Sequence, residues 1–208
     1  MRHSLTAKGY GIALRPVRLD DAQFIVWLRN LDFAKGRVGD SASDVLSQEM
    51  WLNSYFEREG DYYFVIETLR EVPVGTYSIY NLKDTRAEIG RMVIRPDVPA
   101  AVPATLLLLD LFYEKMGLTE VEAITVPDNA GVQSLLRKGG WVKGEVEHAG
   151  RKIGGVSTDL LHFLQTADRW SRARNRVVIA SERAEPMIKR WEQAYLQNLD
   201  FERLATET

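Results

Sequence analysis

The chain has 208 residues and a formal net charge of −2, enough for one good-sized domain or a domain with an appendage. Its hydrophobic content of 45% and charged content of 27% are ordinary for a globular protein, and no bulk field draws it toward nucleic acid or an anionic membrane. The absence of cysteine excludes disulfides, thiolate metal sites and a cysteine nucleophile.

The start, "MRHSLTAKGYGIAL", lacks the apolar run of a signal peptide. "IALRPVRLDDAQFIVWLRN" reads as a short strand, a turn at Asp20-Asp21 and a helix from Asp21 to Asn30 that packs Phe24, Ile25, Trp27 and Leu28. "SASDVLSQEMWLNSYFERE" has apolar residues from Val45 to Phe56 at helical spacing, with Ser43 as a cap. "YYFVIETL", "VPVGTYSIYNL" and "AEIGRMVIRP" are β-branched and aromatic, and the turn-like "REVP" and "KDTR" between them predict an antiparallel meander. A helix over 104–116 is expected to stop at Gly117. Strand "VEAITVP", helix "NAGVQSLLRKG" and strands "WVKGEVEHAG" and "IGGVSTDLLHFL" follow. Short strand–helix–strand connections make the strands at 88–95 and 121–126 parallel, so the fold is α/β with a mixed sheet.

The longest apolar run, "ATLLLLDLF", is far too short to span a bilayer, and a cytoplasmic location is expected. Past Thr166 the character shifts. "DRWSRARNR" reads as a solvated charged turn, and "EPMIKRWEQAYLQNL" carries Met187, Ile188, Trp191, Ala194, Tyr195 and Leu199 on one helical face. Residues 1–165 are therefore read as the main domain and 166–208 as a helical extension. Its stripe either covers the chain's own sheet edge or joins a second subunit in a homodimer.

Two stretches carry a resemblance. "VIRPD" is followed by a loop and a leucine-rich helix. "VPDNAGVQSLLRKGGW" then places Asn129, Leu135, Lys138, Gly140 and Trp141 on the pattern N-x-x-A/S-x-x-L-Y-x-K-x-G-F. With the element order, these residues resemble the GNAT N-acetyltransferase superfamily over residues 11 to 165. "WLRN", "LSQEMWLNSY" and "DLLHFLQTADRW" resemble its branch of ribosomal-protein N-terminal and amino-sugar (nucleotide-sugar) acetyltransferases. The resemblance implies a mostly antiparallel central sheet with a splayed parallel pair, flanked by helices. It implies acetyl-CoA as acyl donor, no metal, and a small-molecule amine acceptor, with neither nucleic acid nor membrane as partner.

Carried onto this chain, the resemblance implies that backbone groups of Met92, Val93 and Ile94 pair with the pantetheine arm. A helix N-terminus offers free N–H groups to a pyrophosphate. Here Ala100, Ala101, Val102, Ala104 and Thr105 still own such groups. Against the family's R-G-x-G-x-G/A loop, Pro99 stands at the arginine, Ala100 at the first glycine and Val102 at the second, with Pro103 between. Each proline removes a donor. At about 1.5–3 kcal/mol per charge-assisted hydrogen bond, losing two or three weakens binding about 100-fold or more. Two readings stay open: a weakened or re-aimed cofactor loop, with Arg95 as the nearest basic group, and a loop that no longer binds coenzyme A.

Glu88 is the best placed general base, a role worth about 10² to 10⁴ in rate; an exposed strand-edge glutamate is the alternative. A strand N–H near Val93 is the expected oxyanion donor. His148 and His162 are weaker candidates for the base, and each reads first as a satisfied strand-end histidine. Leu136 occupies the family's general-acid tyrosine position, and a thiol of pKa about 8.5 leaves without much help. Asn129 either caps the next helix or bonds the pantetheine arm. Arg29, Asn30, Tyr77 and Tyr80 are the candidate substrate-binding residues, and the two tyrosines, at opposite parity, must face opposite ways. The expected activity is acetyl transfer to a primary amine of an amino sugar or nucleotide-linked amino sugar, by direct attack in a ternary complex. A protein N-terminal acetyltransferase and a non-catalytic binding module with a degenerate loop are the alternatives.

Overall fold

The β-branched and aromatic residues between 62 and 94 build the middle of an eight-stranded sheet. The structure, a computed structural model, describes residues 2–35, 37–38, 42–153 and 155–206, with side chains as far as Leu199. Ser41, Gly154 and the last two residues of the extension, which fall in predicted segments, lie outside the described residues. The strands are β1 (Ala7–Gly9), β2 (Ile12–Pro16), β3 (Tyr62–Thr68), β4 (Pro73–Lys83), β5 (Arg86–Ile94), β6 (Glu120–Thr125), β7 (Val142–Ile153) and β8 (Val156–Thr166). They lie in the order β1-β2-β3-β4-β5-β6-β8-β7. The β5–β6 pair is parallel and the other pairings are antiparallel. β1 is absent from the sequence reading. It forms because Tyr10 and Gly11 both take positive φ, 53° and 83°, the geometry of a tight hairpin turn.

Helices α1 (Ala22–Arg29) and α2 (Val45–Phe56) cover one face, packing Ile25, Leu52 and Tyr55 on Tyr63 and Val65. A 3₁₀ turn at Leu19–Asp21 precedes α1, so the helix is shorter at each end than the predicted span. The cap of α2 is Asp44 rather than Ser43. Its carboxylate accepts from Ser47 N at 2.8 Å and also from the hydroxyls of Ser43 and Ser47, bonds that a serine could not match in number.

The opposite face carries α3 (Ala101–Asp110), which continues as a π turn through Leu111–Lys115, and α4 (Ala130–Lys138). α3 starts three residues before the predicted Ala104, with Pro103 in its first turn, where proline is tolerated. Gly117, at φ +66°, follows its end. α5 (Ala167–Thr206) lies along α3. Trp170 Nε1 donates to Asp110 at 3.1 Å, Arg174 forks onto the same carboxylate, and Ile188, midway along the helix, is fully buried. α3 is thus sandwiched between sheet and helix, and Pro103 to Leu109 are all buried. That is why "TLLLL" is apolar all round.

The stripe on α5 shares the chain's main core through Ile188, while Met187 and Leu199 stay exposed. Residues 169–176 are helix, not a turn. Helical spacing lets Arg172 reach Asp168, Arg174 reach Asp110, and Arg176 donate to the Lys138 carbonyl. Trp27 is also not a core residue. It is 44% exposed, since Ile25 and Leu28 take the buried side of α1.

Candidate active site

β5 and β6 pair from Arg86↔Glu120 only as far as Ile89↔Ala123, although β5 runs on to Ile94. From Gly90 onward the edge of β5 that faced β6 has no strand against it among the described residues. The cause lies in β5 itself. Its register on β4 slips between Ser78↔Gly90 and Thr76↔Val93, and Arg91 takes φ 52°. Such a bulge bends and twists the strand. The bulge is held by its own side chain, for Arg91 forks onto Asp61 at 2.6 and 2.9 Å and lies over the rings of Trp51, Tyr63 and Tyr80. Burial alone would lower the Arg91 pKa, but Asp61 more than offsets it and the guanidinium stays above its usual value.

A cavity of about 620 Å³ occupies this gap. Trp51, Tyr80 and Glu88 line it on the α1/α2 side, and Asn129, Val132 and Leu136 line it on the α4 side. The cavity therefore threads the sheet and joins its two faces. Glu88 stands on β5 where pairing with β6 is about to stop, opposite Tyr80 on β4. It is only 8% exposed. The Tyr80 hydroxyl donates to its Oε1, and Asn81 Nδ2 donates to Oε2 at 2.9 Å. Asn81 reaches it from φ 53°, a left-handed conformation that asparagine adopts readily. Burial and the Glu88 charge hold the Tyr80 phenol far above its usual pKa, so it stays a neutral donor.

Tyr77 and Tyr80 point to opposite faces. Tyr77 packs in the core on the α3 side, beside Thr105, and burial pushes its pKa up to about 12. Met92 lines the cavity, Val93 packs on Leu28 under α1, and Ile94 packs toward the α3 side. Arg29 lines the cavity. Asn30 does not; its amide donates to Val26 O at 2.8 Å and Ala42 O at 3.1 Å, tying the end of α1 to the following loop. Asn129 caps α4, its side chain accepting from Val132 N at 3.3 Å, and it also lines the cavity.

The β5–α3 loop divides its donors. Ala100 N donates to Val98 O at 2.8 Å, and Ala104 N to Ala100 O at 2.9 Å. The Thr105 hydroxyl is spent on Ala101 O at 2.8 Å. Ala101 and Val102, in the first turn, own the N–H groups for which a helix has no internal acceptor, and Pro103 has none to offer. An anion there meets two donors and the positive end of α3.

The acetyltransferase (GNAT) domain family matches residues 12–142. The chain belongs to this family. No curated protein sequence matches it. Among solved structures, a GCN5-related N-acetyltransferase from Brucella melitensis superposes with a TM-score of 0.74 at 14% identity, covering 86% of each chain. FdhC, a nucleotide-linked sugar GNAT, gives 0.70 at 23% identity over 86% of this chain and 98% of its own. A spermidine N-acetyltransferase from Vibrio cholerae, in complex with CoA and spermine, gives 0.70 at 16% identity over 78% and 99%. At these identities the likeness establishes the GNAT fold.

Several cavity residues were not singled out in the sequence. Asn81, Arg58, Arg91 and Arg151 all sit at or beside Glu88 or line the same space. The "YNLKDT" turn hinted at Asn81, since asparagine favours left-handed bulges. A surface-reading arginine such as Arg151, on a hairpin remote in the chain, carries no local signal.

Proposed function

We propose that this GNAT-family chain is an acyl-CoA-dependent N-acetyltransferase that acetylates a primary amine of a small acceptor by direct attack in a ternary complex. The observation that carries the reading is the cavity through the β5–β6 gap, with Glu88 at the crossing. The acyl donor supplies an activated thioester carbonyl. Unpaired backbone on β5 past Ile89 suits the amides of an extended arm, as in strand addition. Ala101 and Val102 would hold the donor's phosphates. Glu88 takes the proton that the ammonium must lose, and Tyr80 and Asn81 fix its carboxylate. Each carboxylate oxygen keeps a second lone pair for that purpose. Leu136, buried at the cavity wall, donates nothing, and the thiolate leaves unassisted.

Charge supports the finer reading of an amino sugar on a nucleotide carrier. Among the described residues Arg29, Arg37, Arg58, Arg91 and Arg151 line the cavity with one carboxylate, Glu88, while Arg91 pairs with Asp61 and Arg37 lies 3.6 Å from Asp128. That wall suits an amine carried on an anionic group and opposes a polycation. A second reading, a GNAT fold kept as a binding module, is favoured by the few donors left at α3.

Calorimetric titration with acetyl-CoA separates the two. Binding is expected, with a rise in stability of about 2.7 kcal/mol at 100 times Kd; no heat and no thermal shift at millimolar ligand would sink the catalytic reading. Glu88→Gln is expected to lower kcat about 10²-fold or more with donor affinity unchanged. Unaltered turnover would remove Glu88 from the mechanism.

A further inference from the structure

The loop from β5 to α3 is gripped from outside by α5. Arg95, just past the end of β5, lays its guanidinium on Trp27, Trp191 and Tyr195, with 5.2, 4.9 and 5.0 Å to the ring centroids. The same group pairs with Asp97 through Nε–Oδ1 at 3.3 Å and Nη2–Oδ2 at 3.2 Å. Trp191 Nε1 donates to Asp97 Oδ2 at 2.8 Å, and its ring stacks on Tyr195 at 5.0 Å. Neighbouring contacts fix where α5 lies. Glu192 accepts from Arg70 N at 3.0 Å, and buried Ile188 sits by Gly11, where an added Cβ would be 3.4 Å away.

Two physical consequences follow for the phosphate end of the site. A loop without glycine cannot mould itself to an anion, so the N–H groups of Ala101 and Val102 serve only if the backbone is already in place. Asp97 brings a carboxylate to the same loop, and a phosphate would be repelled by it unless the charge is matched. Arg95 matches it and Trp191 adds a hydrogen bond, and although burial pushes the Asp97 pKa up, these bonds hold it below the usual carboxylate value.

We propose that Trp191 and Tyr195 are positioning residues for the phosphate-binding loop: they clamp Arg95 onto Asp97 and so preset the first turn of α3. The C-terminal helix does from outside what glycines and a loop arginine do elsewhere in the family. This inference rests on the donor-binding reading above.

The test is calorimetry on the full chain with coenzyme A and, separately, with pantetheine, which shares the arm but lacks the phosphates. Trp191→Ala is expected to weaken coenzyme A about tenfold, the worth of one charge-assisted hydrogen bond, and to leave pantetheine unchanged. Trp191→Phe keeps the ring and loses only the N–H, so a smaller loss of the same selectivity is expected with the native melting temperature nearly retained. Equal weakening of both ligands would mean a merely structural role, and undiminished coenzyme A binding in both variants would overturn the clamp while leaving the donor reading intact. Failure of the wild-type chain to bind coenzyme A would overturn both.

Discussion

Arg91 occupies a conformation that costs a non-glycine residue about 1–3 kcal/mol unless its surroundings impose it. They do so here through Asp61 and three aromatic rings, and the same bulge opens the gap that Glu88 faces. Glu88 is in register with Glu122 across β5 and β6, so the two carboxylates are neighbours on one sheet face. His162 lies between Glu122, at 2.5 Å from its Nδ1, and Glu147, at 3.2 Å from its Nε2. The bond to Glu122 is the main cause that raises the His162 pKa above its usual 6.5, with Glu147 adding to it. A group whose pKa is raised by folding stabilises the fold fully below its unfolded value and loses that contribution as pH rises through its folded value. Stability from His162 is therefore expected to be complete well below pH 6.5 and to be lost as pH rises through the higher folded value. An NMR titration should place the His162 midpoint above 6.5, and thermal unfolding should show a decline as pH rises through that midpoint that His162→Gln lacks. A midpoint below the usual value would refute the assignment.

At the level of elements, α5 is docked at its first turns and again from Ile188 to Tyr195, and its first turns depend on one glycine. Gly140 sits at φ +86°, and a Cβ there would stand 2.8 Å from Ala173 Cβ on α5. Gly140→Ala is expected to destabilise the fold by about 1–3 kcal/mol, through backbone strain plus overpacking. Adding Ala173→Gly should recover the steric part and leave the strain, which two denaturation curves can separate. The motif glycine at 140 was legible in the sequence for its place after α4, but its contact with a helix thirty residues on was not. The same divide runs through the fold. Strands 62–94 and the parallel crossover follow from local pattern, because period-2 alternation and a Gly117 stop act within a few residues. The exposure of Trp27 depends on which side of α1 the sheet covers, and the grip on Arg95 depends on α5; no local pattern in "VPAAVPATLLLL" encodes what lies outside it. Glu88 was legible as a carboxylate on β5; Tyr80 faces it in register on β4, and Asn81 reaches it where the register slips between Tyr80 and Lys83.

On the scale of the whole molecule, a formal charge of −2 hides a local asymmetry, since the described cavity wall carries more arginines than carboxylates while the chain as a whole is net negative. The acceptor's charge should then govern how it is captured rather than how it reacts. Arg58 lies over Trp51 at the cavity wall, 5.2 Å from the ring centroid, and does not touch Glu88. A nucleotide-linked amino sugar is expected to react with a higher kcat/KM than the free amino sugar, and spermidine is expected to be a poor substrate. The advantage should be electrostatic. Raising ionic strength from about 0.01 to 0.15 M shortens the screening length from about 30 to 8 Å. That change should raise KM for the nucleotide-linked acceptor, leave kcat alone, and barely affect the free sugar. Arg58→Gln should raise the same KM at low salt and flatten its salt dependence. Steady-state kinetics with the three acceptors decides the matter: preference for the polyamine, or a salt dependence equal for charged and uncharged acceptors, would assign the arginines to structure and remove the anionic carrier from the substrate.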